Sequence, residues 1–144
     1  MSNLENKLKK IIDTFTNGNK EIAFKEIKKL SEKYNKNINV QNILYQISMK
    51  VGDIDTSINA LKQILFIDKN NISYLSQLYK LLLGKGLLDQ ALEKINSILE
   101  KNNKNYDALR DKSYIYFLKK DYIEAKKYIE NISNLKDDDY FGYN

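Results

Sequence analysis

The chain has no cysteine and no histidine. Their absence removes disulfides, thiolate and imidazole metal sites, and every nucleophile–histidine arrangement. It also removes the side chain that titrates most readily near neutral pH. Proline is absent too, and only five glycines occur in 144 residues. With so few breakers, helices should end where glycine or asparagine clusters stand, as at Asn17-Gly18-Asn19, Asn70-Asn71 and Asn102-Asn103. No apolar run approaches the ~18 residues that a membrane span requires. The start, Met1-Ser2-Asn3-Leu4-Glu5, has neither the apolar stretch nor the cleavage site of a secretory leader, so the expected location is the cytoplasm.

What is present is a period. Ala23, Ser57, Ala91 and Ala125 stand 34 residues apart. Gly18, Gly52 and Gly86 repeat with the same step, and Lys120 takes the fourth place. A fixed period of this size marks one supersecondary unit stacked on copies of itself. Four units follow, at 4–37, 38–71, 72–105 and 106–139, within one domain spanning 1–144. Each carries two helical stripes. The third is clearest, with Ile72, Leu75, Leu78, Tyr79 and Leu82 on one helix face, then Leu88, Ala91, Leu92, Ile95, Ile98 and Leu99 on another. Gly84-Lys85-Gly86 separates the two and suits a left-handed helix end. The first unit is the weakest, as a terminal repeat with one face in water should be. The recurring Ala or Ser lets the partner helix approach closely.

These residues resemble tetratricopeptide repeats. Gly52-Asp53-Ile54 and Lys120-Asp121-Tyr122-Ile123-Glu124-Ala125 are similar to that family's central turn, and Ile67-Asp68-Lys69-Asn70-Asn71 to its closing turn. Tyr116 stands at the family's eleventh position. Tyr45 and Tyr79 depart from it, standing where a small residue is usual, and proline is missing from every closing turn. The resemblance covers 4–139. It implies an all-α fold, a right-handed α-α superhelix (a TPR solenoid) of about four helix–turn–helix repeats. It also implies a concave groove lined by the first helix of each repeat.

By position, the groove would hold Glu5, Leu8, Lys9, Ile12 and Phe15 in the first unit and Asn39, Asn42, Ile43, Gln46 and Met49 in the second. The third would give Ser73, Ser76, Gln77, Lys80 and Leu83, and the fourth Asp107, Arg110, Asp111, Tyr114 and Phe117. Phe15, Met49, Leu83 and Phe117 would form an apolar strip, although this position is also aromatic for packing alone. Beside it runs a row of amides and hydroxyls, Asn39, Asn42, Gln46, Ser73, Ser76 and Gln77. Amides donate and accept, so they can satisfy an extended peptide backbone. The plain alternative is ordinary surface asparagine in a chain whose Lys and Asn abundance fits an AT-rich genome. Some members of the family grip a C-terminal carboxylate with Lys and Asn. The matching positions here, such as Leu8, Ile12, Ile43, Ser73 and Gln77, or Asn42, Gln46, Gln77, Asp107 and Asp111, make no cationic clamp.

The net charge is +5, and nine of the lysines lie in the first 37 residues beside five acids. Base-edge and phosphate-fork recognition favour arginine, and Arg110 stands alone, which argues against a nucleic-acid partner. No residue reads as catalytic, cofactor-binding or metal-ligating. Asp53 and Asp55 flank a turn, and Asp137, Asp138 and Asp139 are expected in another, where capping and solvation suffice. Gly84-Lys85-Gly86 is too short for a phosphate loop. The expected function is a non-catalytic scaffold that binds a peptide or partner protein in its groove and needs no cofactor. Two alternatives stand beside it. One is a substrate-recruiting segment of a larger enzyme such as a transferase. The other is a self-assembling structural subunit. Residues 140–144 resemble the opening of a fifth unit, or else form a tail. Tyr140, Phe141 and Tyr143 would then be contacts to that unit or to a second copy through the uncapped fourth repeat.

Overall fold

The computed structural model describes residues 2–141, and their side chains as far as residue 135. Every element among them is an α-helix: α1 (Asn3–Thr16), α2 (Lys20–Lys33), α3 (Ile38–Val51), α4 (Ile54–Ile67), α5 (Ile72–Gly84), α6 (Leu88–Lys101), α7 (Tyr106–Leu118) and α8 (Tyr122–Phe141). They pair as four helix–turn–helix units of the helical-repeat solenoid class. The chain divides into two compact units, Met1–Tyr74 and Leu75–Asn144, with the division in the first turn of α5.

The turn inside each hairpin is closed the same way four times. The amide of Asn19, Asp53, Leu87 and Asp121 donates to the carbonyl five residues back, of Thr14, Ser48, Leu82 and Tyr116, at 2.9–3.1 Å. This closure needs a left-handed residue just before the donor. Gly18, Gly52 and Gly86 supply it with φ of 94°, 83° and 75°. Lys120 supplies it in the fourth hairpin with φ of 62°, alone among the described non-glycine residues. The 34-residue glycine period is thus a backbone requirement.

The turns between hairpins are held by asparagine. Asn37, Asn71 and Asn105 each accept, through the side chain, the amide three residues on, of Val40, Tyr74 and Ala108, at 3.0–3.2 Å. They cap α3, α5 and α7 at one repeat position, satisfying amides that a helix start leaves unpaired. Ser2 and Glu5 cap α1 reciprocally, both bonds at 3.1 Å. Asp53 caps α4, its carboxylate accepting the Thr56 amide at 3.0 Å, and this holds its pKa below the usual carboxylate value.

In the first unit, Ala23 and Ile27 of α2 pack with Leu8 and Ile11 of α1, and with Val40, Leu44 and Ile47 of α3. Ser48 and Ser57 join α3 to α4 by a buried hydroxyl pair at 2.8 Å. In the second unit, the Ser113 hydroxyl on α7 donates to the Ala125 carbonyl on α8 at 2.7 Å. Lys112 on α7 donates to Asn96 on α6, also at 2.7 Å. The recurring small residues are all buried, Ala23, Ser57 and Ala91 completely.

One expectation is corrected. α8 runs for 20 residues against 13 or 14 in the others, so Asp137, Asp138 and Asp139 lie in helix and not in a turn. No glycine interrupts the sequence between Lys120 and Gly142, so nothing stops the helix earlier. The side chains of Tyr140 and Phe141, and Tyr143 entirely, lie outside the described residues.

Candidate functional site

The periodicity of α1 and α3 decides what their exposed faces carry. Both helices spend their most apolar stripe against α2, and residues on the neighbouring face are left between the two first helices. Two adjoining cavities lie there in the first unit. One, of about 350 Å³, is lined by Ile12 and Phe15 of α1 and by Ile43, Tyr45, Gln46, Ile47, Met49 and Lys50 of α3. The other, of about 340 Å³, is lined by Glu5, Leu8, Lys9 and Ile12 of α1 and by Asn39, Asn42 and Ile43 of α3. They share Ile12 and Ile43, which makes them one groove with a polar end and an apolar end.

All ten groove positions named from the sequence in the first two repeats line these two cavities. Tyr45, Ile47 and Lys50 line them as well and were missed. Tyr45 stands where the family usually places a small residue, so the sequence marked it as a departure and not as a wall. Its hydroxyl pKa is raised by burial. The side-chain amides of Asn39, Asn42 and Gln46 hold no hydrogen-bond partner among the described residues. By contrast, the Gln41 amide is buried and donates to the Asn35 carbonyl at 3.2 Å. The groove amides therefore keep both a donor and an acceptor for a ligand.

The second unit presents a different surface on α5 and α7. Ser73 and Lys80 are exposed, while Ser76, Gln77 and Leu83 are half-buried. Ser73, which falls before the division of the chain, and Gln77 are each engaged within the molecule. Arg110 bridges Asp107 and Asp111, both at 3.2 Å, and the two carboxylates raise its pKa. Asp111 also accepts the hydroxyl of Tyr79 at 2.6 Å. Tyr79 is buried, and desolvation together with this acceptor pushes its pKa well above the usual tyrosine value. The large side chain at this position is thus accompanied by a part-buried bond from α5 to α7. Tyr114 and Phe117 are exposed on α7, and the Phe117 ring meets Tyr122 edge-on with centroids 5.7 Å apart.

A further cavity of about 650 Å³ lies between α1 and α2, lined by Lys7, Lys10, Lys29, Lys33, Glu26, Glu32, Ile11 and Leu30. These four are among the nine lysines of the first 37 residues. Among the described residues no group of three or more acidic side chains could hold a metal ion. No helix there is long and apolar enough to cross a membrane.

No family model and no curated protein matches the chain. Solved structures do. A crystal structure of MamA is similar over 96% of this chain and 81% of its own, with a TM-score of 0.73 at 18% identity. A second MamA crystal structure covers 94% of this chain and 74% of its own, with a TM-score of 0.74 at 18% identity. A tetratricopeptide repeat protein from Parabacteroides merdae ATCC 43184 covers 92% of this chain and 53% of its own, with a TM-score of 0.73 at 20% identity. The chain therefore has a fold resembling the tetratricopeptide-repeat solenoid.

Proposed function

We propose that this chain is a non-catalytic interaction scaffold of the cytoplasm, and that the groove between α1 and α3 takes an extended segment of a partner protein. One observation carries the reading. The two cavities share a wall at Ile12 and Ile43, and unpaired amides stand on the α3 side. An apolar side chain of the partner fills the end formed by Phe15, Ile47 and Met49. Asn39, Asn42 and Gln46 bond its backbone. Lys9 and Lys50 against Glu5 leave the groove with a small positive charge, which favours an acidic or neutral segment. Because both walls are helices fixed by their own hairpins, little ordering cost falls on the receptor.

The second unit contributes a separate patch, with Lys80, Asp107, Arg110, Tyr114 and Phe117 on its surface. Arg110 is held in place by two carboxylates, so its guanidinium orients a contact more than it adds charge.

Peptides selected from a random display library on the immobilised chain test the reading. Asn42→Ala with Gln46→Ala should weaken a selected peptide by about tenfold, the scale of one or two lost hydrogen bonds. Met49→Lys should weaken it further. Circular dichroism should show unchanged helicity in each variant. Binding that is indifferent to all three changes would place the ligand elsewhere.

A further inference from the structure

Repeat arithmetic shows two faces of this molecule that internal hairpins keep covered. The first is on α1. Its Lys7 and Lys10 correspond, 34 residues on, to Gln41 and Leu44, which are buried on α3. On α1 the same flank opens into the large cavity against α2. The second face is on α8. Its Ile129 corresponds to Ile95 of α6 and to Ile27 of α2, both fully buried, yet Ile129 is 56% exposed.

The α1–α2 cavity has an apolar floor, Ile11 and Leu30, and a rim of four lysines against two glutamates. Lys7, Lys10 and Lys29 form no ion pair among the described residues. The complementary segment is in this same sequence. Asp137-Asp138-Asp139 is its one run of three acids, and Tyr140, Phe141 and Tyr143 follow directly. Acids suit the lysine rim, and an aromatic ring suits the floor and the volume.

We propose that the segment Asp137–Tyr143 of a second copy docks in the lysine-lined cavity between α1 and α2, joining copies head to tail. Such a contact is heterologous, with different surfaces on the two partners. It shares no lining residue with the groove between α1 and α3, so it does not rest on the peptide-binding reading.

The test is light scattering coupled to size exclusion, over a range of concentration and salt. The full chain should gain mass with concentration, and lose it as salt screens the contact. Lys7→Glu with Lys10→Glu should weaken association by about tenfold, the scale of two or three exposed ion pairs lost together. Asp137→Asn, Asp138→Asn and Asp139→Asn together should do the same. The two variants, each impaired alone, should associate when mixed, because one keeps the segment and the other keeps the cavity. Met49→Lys in the groove should leave association unchanged. A labelled peptide of residues 136–144 should bind the wild-type chain and lose affinity for the Lys7/Lys10 variant. A wild-type chain that stays monomeric at high micromolar concentration would overturn the proposal, as it would if the segment folded back on its own cavity. So would a mixture that does not recover association.

Discussion

Two residues show how this sequence handles positions where its repeat is irregular. Lys120 occupies the left-handed site that glycine holds in the other three hairpins. A side chain there crowds the following carbonyl, so Lys120→Gly should stabilise the chain by about 1 kcal/mol, after the extra entropy of glycine is subtracted. Urea denaturation of the two chains measures it, and the gain should be absent from a conservative Lys120→Arg variant. Tyr79 replaces a small residue and is buried, with its hydroxyl on Asp111. Tyr79→Phe should cost about 1.5–3 kcal/mol, the range for a hydrogen bond to a charged acceptor. The pH dependence has a definite sign. The folded state holds the Tyr79 proton above the usual tyrosine pKa. Stability is therefore insensitive to this group below pH ~10, and falls as the unfolded chain ionises above it. Urea midpoints from pH 9 to 11 should decline less steeply in Tyr79→Phe than in the wild type.

Helices here are set by their ends as much as by their stripes. Asn37→Ala removes the side chain that accepts the Val40 amide, and should cost about 1 kcal/mol. Asn37→Asp should restore most of it, since aspartate accepts the same amide. Thermal melts by circular dichroism would separate the two. Asparagine's abundance reads in the sequence as compositional bias, but Asn37, Asn71 and Asn105 share one 34-residue register and one capping role. The signal was present, at the same period as the glycines, and was hidden by the many other asparagines. Helix pairing and the small-residue positions were legible because burial imposes one residue size at one step. The length of α8 was not legible, because the acid run looks like a turn while the helix continues through it to Phe141. At the groove, the family register gave ten positions that line the two cavities. It missed Tyr45, whose size departs from the pattern that was being followed.

For the molecule as a whole, with neither thiol nor imidazole in the chain, the surfaces offer apolar, amide and charged side chains. In the first unit, the apolar stripes of α1 and α3 are both spent against α2. What remains between α1 and α3 is a pair of cavities with an apolar end and free amides. The groove is lined by α1 and α3 and the lysine-lined cavity by α1 and α2, with no lining residue in common, so one can be altered without the other. The central claim is that a partner segment lies along the groove. The most direct measurement is nuclear magnetic resonance of the chain, with labelled side-chain methyls and amides, titrated with a display-selected peptide. Shifts should concentrate on Ile12, Ile43, Ile47 and Met49 methyls and on the Asn39, Asn42 and Gln46 side-chain amides. Shifts confined to α2, α4, α6 or α8, with these seven residues unmoved at saturation, would contradict it.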